Sequence, residues 1–174
     1  MKIPFLDKIP KIYPDAFVAE DANVIGDVTI DDEASVFFHS TLRGDSGKII
    51  VGKGSNIQDG CILHCDEPYQ VIIKENVTIG HGAIVHGATI ESECLIGMGA
   101  IILNGAHLLP HTMVAAGALI KEGMITQEGY LYAGVPAKPL RPLTLAEIEK
   151  IKVNAKHYQE LSKQYQEKVY GTHK

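Results

Sequence analysis

Residues 90–120 read IESECLIGMGAIILNGAHLLPHTMVAAGALI, and within them Ile90, Ile96, Ile102, Leu108, Val114 and Ile120 recur at every sixth position. A helix repeats every 3.6 residues and a strand every two, so a sustained period of six marks a coil of short strands joined by turns. One five-residue step back from Ile90 the period resumes through Val85, Ile79 and Ile73. It continues through Leu63, Ile57 and Val51, and through Leu42, Val36, Ile30, Val24 and Val18, so seventeen positions obey it. The fourth residue after each aliphatic is nearly always small: Ala22, Val28, Ala34, Ser40, Ser46, Ser55, Cys61, Val77, Ala83, Thr89, Cys94, Ala100, Ala106, Thr112 and Ala118. A crowded corner beside an inward aliphatic requires that.

The pattern resembles the left-handed parallel β-helix of hexapeptide-repeat proteins, in which three hexads complete one triangular coil. The resemblance implies a mainly β fold, and the repeat count implies about five coils stacked at about 4.8 Å. Two insertions break the repeat, at Gly44 to Ile50 and around Asp66 to Gln70, and must leave the coil as loops, where function often resides. After Ile125 the period fades. Thr144-Leu145-Ala146-Glu147 then reads as a capping box, with Leu145, Ile148, Ile151, Ala155, Tyr158, Leu161 and Tyr165 following at steps of three and four. An amphipathic helix from about 145 to 168 is expected along the side of the coil. The division is a β-helix domain over 1–142 and a helical segment over 143–174.

Composition narrows the function classes. A net charge of −5 provides no basic stripe for a phosphate backbone, so nucleic acid is set aside. No apolar stretch approaches the roughly 20 residues that span a bilayer, and the N-terminal residues lack a leader pattern, so a cytoplasmic protein off the membrane is expected. The three cysteines, Cys61, Cys65 and Cys94, read as reduced thiols. Cys61 and Cys94 fall on the small inward corner.

Histidine placement carries the chemistry. His64 follows Leu63 by one and His86 follows Val85 by one, with three repeat steps between them, so both occupy the same place in successive coils, about 4.8 Å apart and close enough to share a metal. His81 follows Ile79 by two and belongs to a different face. It reaches such a metal only from a neighbouring prism, so a homotrimer with interfacial sites is expected. His39, His107, His111, His157 and His173 share no such register and read as structural or solvent-exposed.

The segments Arg43-Gly44-Asp45, Asn56 to His64, Thr78 to Gly87 and Ile96 to Ala100 are similar to those of γ-class carbonic anhydrases. The resemblance covers roughly residues 10 to 142. It implies a zinc enzyme, with iron or cobalt as other metals, in which His64, His81 and His86 hold the ion and metal-bound hydroxide attacks CO2 to give bicarbonate. It further implies that Gln58 hydrogen-bonds at the metal's open position, that Glu67 shuttles protons, and that Arg43, Asp45 and Asp59 form a charged network at the subunit interface. Tyr132 is placed near the site by the same likeness. Two features depart from the most active members: Ser46 stands where they carry an acid, and the loop after His64 is short. Ala133-Gly134-Val135-Pro136-Ala137-Lys138 also occurs in hexapeptide acyltransferases that use acetyl-CoA, which keeps that activity open. A non-catalytic metal-bound trimeric assembly and a thioesterase also stay open.

Overall fold

The computed structural model describes residues 1–170, so His173 and the end of the expected 143–174 segment lie outside the described residues. Short parallel strands wind into three stacked faces. The first carries Phe17–Val18, Ser35–Val36, Asn56–Ile57, Thr78–Ile79, Leu95–Ile96, Met113–Val114 and Tyr130–Gly134, one per turn, closed by antiparallel Ala137–Pro142. The second includes Ile62–His64, Ile84–His86, Ile101–Ile102 and Leu119–Ile120. The third includes Val71–Ile73, Thr89–Ile90 and His107–Leu108. Asn23–Ile30 and Thr41–Val51 each bend through a corner and join the second and third faces.

The expected left-handed parallel β-helix with a single C-terminal helix is therefore formed, but with about seven turns where about five were expected. The period runs on through Ile12 before Val18, and through Thr126 and Tyr132 after Ile120. Thr126 and Tyr132 are both buried, so the coil continues where the aliphatic rule lapses.

Of the seventeen repeat aliphatics all except Val18 are fully enclosed. Burying one such side chain contributes about 1.5–3 kcal/mol, so this column holds the coil without covalent staples. All three cysteines are free thiols. The small corner positions are likewise buried, with two exceptions: Ser46 is exposed and Thr89 half-buried. Both lie in hexads whose length departs from six. In the five-residue step Ala88 takes the corner. Beyond Leu42 the pairing jumps from Gly26↔Gly44 to Val28↔Ile49, so three extra residues leave the stack there. Stacking is tight enough that a Cβ on Gly97 would lie 2.5 Å from the Ala116 amide nitrogen of the next turn.

Thr144 caps the helix Leu145–Gln164 through the expected capping box. A wider π-helical turn, Tyr165–Tyr170, continues it, so the α-helix ends four residues short of the expected 168. Ile151, Ala155 and Ser162 are buried against the first face. Asn154 Nδ2 donates to Thr78 Oγ1 at 3.0 Å, and Gln159 Nε2 donates to the Gly54 carbonyl and to Asn76 Oδ1. Tyr158 and Tyr165 pack on Phe37. Leu145, read as part of the apolar stripe, is exposed. Among the described residues no helix is long and apolar enough to cross a membrane.

Candidate metal centre

Successive turns of the second face place Arg43, His64 and His86 in one column, paired Arg43↔His64 and His64↔His86. The two imidazoles meet as their shared register requires, with His64 Nδ1 3.0 Å from His86 Nε2. Their outer nitrogens are engaged: His64 Nε2 lies 3.1 Å from Asp45 Oδ1, and His86 Nδ1 lies 2.7 Å from Asn104 Oδ1. Both partners are acceptors, so in its neutral form each ring carries its hydrogen on the outer nitrogen and turns a lone pair toward the other ring. Facing lone pairs repel unless a cation or proton lies between them. This donor set fits a divalent metal, with both outer hydrogen bonds fixing ring tautomer and orientation.

Asp45 ties this half together. Burial would raise its carboxyl, but hydrogen bonds from Arg43, His64 and the Ser46 amide outweigh that and hold it below the usual carboxylate range. Arg43 donates to Asp45 Oδ2. Ser46, where an acid was the pattern, thus contributes its backbone N–H to Asp45. From the N-terminal segment Lys8 Nζ donates to the Asp45 carbonyl at 2.6 Å.

His81 sits apart, on the turn that follows Thr78–Ile79, with Nδ1 2.7 Å from Asp59 Oδ2. Gln58 belongs to this second half. Its backbone N–H donates to the Ile79 carbonyl, and its side chain, 5% exposed, donates to Asn56 Oδ1. Gln58, His81, Asn154 and Tyr158 line one cavity of about 300 Å³ between the coil and the helix. Within one chain these residues therefore fall into two separate groups: Arg43, Asp45, His64 and His86 in one, Gln58, Asp59 and His81 in the other. Arg43 and Asp45 pair with each other, whereas Asp59 pairs with His81.

No family model matches the chain. It is 42% identical over 158 residues to γ carbonic anhydrase 2, mitochondrial, of Arabidopsis thaliana, a match covering 87% of this chain and 57% of that protein. It is 41% identical over 156 residues to carnitine operon protein CaiE of Salmonella agona, covering 88% of this chain and 78% of the relative. The chain belongs to the γ-carbonic-anhydrase-like family of hexapeptide-repeat proteins. It spans less than two thirds of the plant relative's length. Among solved structures, a Bacillus cereus protein described as a candidate acetyltransferase superposes with a TM-score of 0.93 at 36% identity, covering 94% of this chain and 95% of that one.

Two residues of this γ-carbonic-anhydrase-like chain that spacing did not single out stand at the histidine pair. Asn104 comes from a different turn, and only the stacking brings it to His86. Asp66 has one carboxylate oxygen 3.7 Å from His86 Nε2 and the other 4.0 Å from His64 Nε2. Glu67, expected as the shuttle, lines a neighbouring cavity of about 270 Å³ with Lys8, Ser46 and Lys48. Burial pushes the Cys61 and Cys94 thiols up to about 12 and raises Cys65, which is fully buried. Tyr132 continues the inward column above Val114 and takes the Gln127 N–H on its hydroxyl, which makes it a core residue of its own chain. His39, His107 and His111 each pair with a local carboxylate, Asp21, Glu91 and Glu93 respectively.

Proposed function

We propose that this chain is a metal-dependent enzyme that hydrates CO2 to bicarbonate, assembled as a homotrimer in which His64 and His86 of one copy and His81 of the next hold the metal. The observation that supports this best is the lone-pair-to-lone-pair arrangement of His64 Nδ1 and His86 Nε2 at 3.0 Å, with both outer nitrogens committed. The separation of His81 onto another face then calls for a second copy. Three neutral imidazoles suit zinc, and imidazole also accepts ferrous iron and cobalt. A metal bound there supplies the Lewis acidity that makes water a nucleophile near neutral pH.

The chain's own residues do the remaining work. Asp45 and Asn104 hold the two rings in the tautomers that present lone pairs inward. Gln58, buried and anchored on Asn56, offers a fixed amide to a small anion in the His81 half. Arg43, exposed beyond Asp45, and Asp59, half-buried beside His81, are the charges that pair between copies in this reading. Glu67 lies on the solvent side of the loop that follows His64 and carries the released proton outward.

The test is metal content of the native oligomer paired with stopped-flow CO2 hydration for zinc, cobalt and anaerobically loaded iron. One metal per chain and hydration abolished by chelation are expected. A stable metal-loaded monomer would refute the shared site, and an intact trimer inactive with every metal would refute the reaction. Likeness to the B. cereus protein described as a candidate acetyltransferase favours a second reading, acyl transfer from acetyl-CoA. CoA-dependent transfer that survives chelation would establish that reading instead.

A further inference from the structure

We propose that Asp66 is itself a metal ligand, so that one chain offers a divalent cation two imidazoles and a carboxylate before any neighbour supplies His81. The inference rests on the metal reading of the His64–His86 pair, and needs neither the trimer nor CO2.

The placement begins with the alternation of an extended chain. Residues two apart point to the same side, so with Cys65 turned into the core His64 and Asp66 both face outward. The loop leaves the coil immediately afterwards, and the Asp66 carbonyl accepts the Tyr69 N–H at 2.9 Å, which fixes its base. Ligand atoms of His64, Asp66 and His86 all lie within 4.8 Å of one another. Donors bound to one zinc at about 2.0–2.2 Å in tetrahedral directions stand about 3.3–3.5 Å apart. The imidazole pair, at 3.0 Å, has to open slightly, and Asp66 Oδ2, 3.7 Å from His86 Nε2, has to close slightly. The carboxylate, whose nearest His64 nitrogen is the outer Nε2 at 4.0 Å, must also swing toward Nδ1, and the Asp66 side chain, 63% exposed, has the room to rotate.

Chemically the third donor changes the site. A carboxylate adds a negative charge that three imidazoles lack, and two histidines with one carboxylate are a set used to hold ferrous iron as well as zinc. A single chain can then capture its metal first, with His81 arriving on a loaded site.

The test uses the whole chain titrated with Zn²⁺ and Co²⁺ against a competing chelator, following the visible Co²⁺ spectrum, for wild type, Asp66→Ala, His81→Ala and the double variant. Circular dichroism verifies folding, which an exposed side chain does not govern. His81→Ala is expected to retain one metal per chain. Adding Asp66→Ala should weaken binding by more than the 10–100-fold typical of a group that only orients a ligand, and should alter the Co²⁺ spectrum. Equal affinity and an identical spectrum in His81→Ala and the double variant would overturn the assignment. A wild type that binds metal through Asp66 yet hydrates no CO2 leaves Asp66 as a ligand and overturns only the anhydrase reading. A wild type that binds neither metal overturns both.

Discussion

Asn104 shows how one neutral side chain sets the state of a ligand. Its Oδ1 accepts from His86 Nδ1 at 2.7 Å, and that bond commits the remaining nitrogen to face His64. Without it the ring is free to take the other tautomer or to rotate. Asn104→Leu should therefore weaken zinc binding by about 10–100-fold while the coil stays folded. Asn104→Asp, which keeps the acceptor, should retain most of the affinity. Competition titration measures both, and nitrogen-15 NMR of the His86 ring reads the tautomer directly. Full zinc affinity in Asn104→Leu would show that the ring is held by packing alone. Lys8 acts one step further back: it holds the Asp45 carbonyl, and Asp45 in turn holds His64.

Among the elements, the C-terminal helix carries at its first turn an ion pair whose contribution depends on pH. Arg141, from the closing antiparallel strand, ion-pairs with Glu147, which also accepts from the Thr144 backbone within the capping box. The Arg141 hydrogen bond, with the help of Thr144, pulls the Glu147 carboxyl down to about 2. Because the folded value lies below the ordinary carboxylate range, the contribution is complete above that range and is lost as pH falls toward 2. The stability difference between wild type and Arg141→Ala should accordingly narrow as unfolding is followed from neutral pH to pH 2, and a constant difference would show that the pair contributes nothing through ionisation. The cap was legible in Thr144-Leu145-Ala146-Glu147, because its two hydrogen bonds span only three residues. The repeat was legible for a related reason: each aliphatic reports its own inward position, whatever lies above or below it. Ser46 and Thr89 were misplaced because the insertion and the five-residue step shift the corner locally. Asn104 and Asp66 were not legible as site residues. Asn104 is joined to His86 by stacking across turns, and Asp66 reaches the pair only through the path of a loop. Gln58 was assigned to the metal's open position on likeness alone, and only the chain's winding shows that it stands beside His81.

At the scale of the whole molecule, the two groups of candidate site residues on one chain are complementary in content and apart in space. One has two imidazoles and an exposed arginine; the other has one imidazole, a buried amide and a half-buried aspartate. A β-helix cannot fold back to join them, because each face is locked in register by the turns above and below it. Joining them by rotation of identical copies would close a ring, and in the proposed trimer every chain would give one of its two groups to each neighbour. That makes a subunit-mixing experiment decisive. His64→Ala chains keep His81, and His81→Ala chains keep His64 and His86. Either variant alone has no complete three-histidine interface. Mixed in equal amounts and reassembled at random, about one interface in four joins the intact pair of one chain to the intact His81 of the other. CO2 hydration and chelator-resistant metal should both return to about a quarter of the wild-type level in the mixture, while each parent remains near zero in hydration. Chelator resistance is the relevant metal readout because an in-chain site on His64, Asp66 and His86 would bind more weakly than the completed one. If the histidines instead worked within single chains, mixing would restore nothing, since no chain in the mixture carries all three.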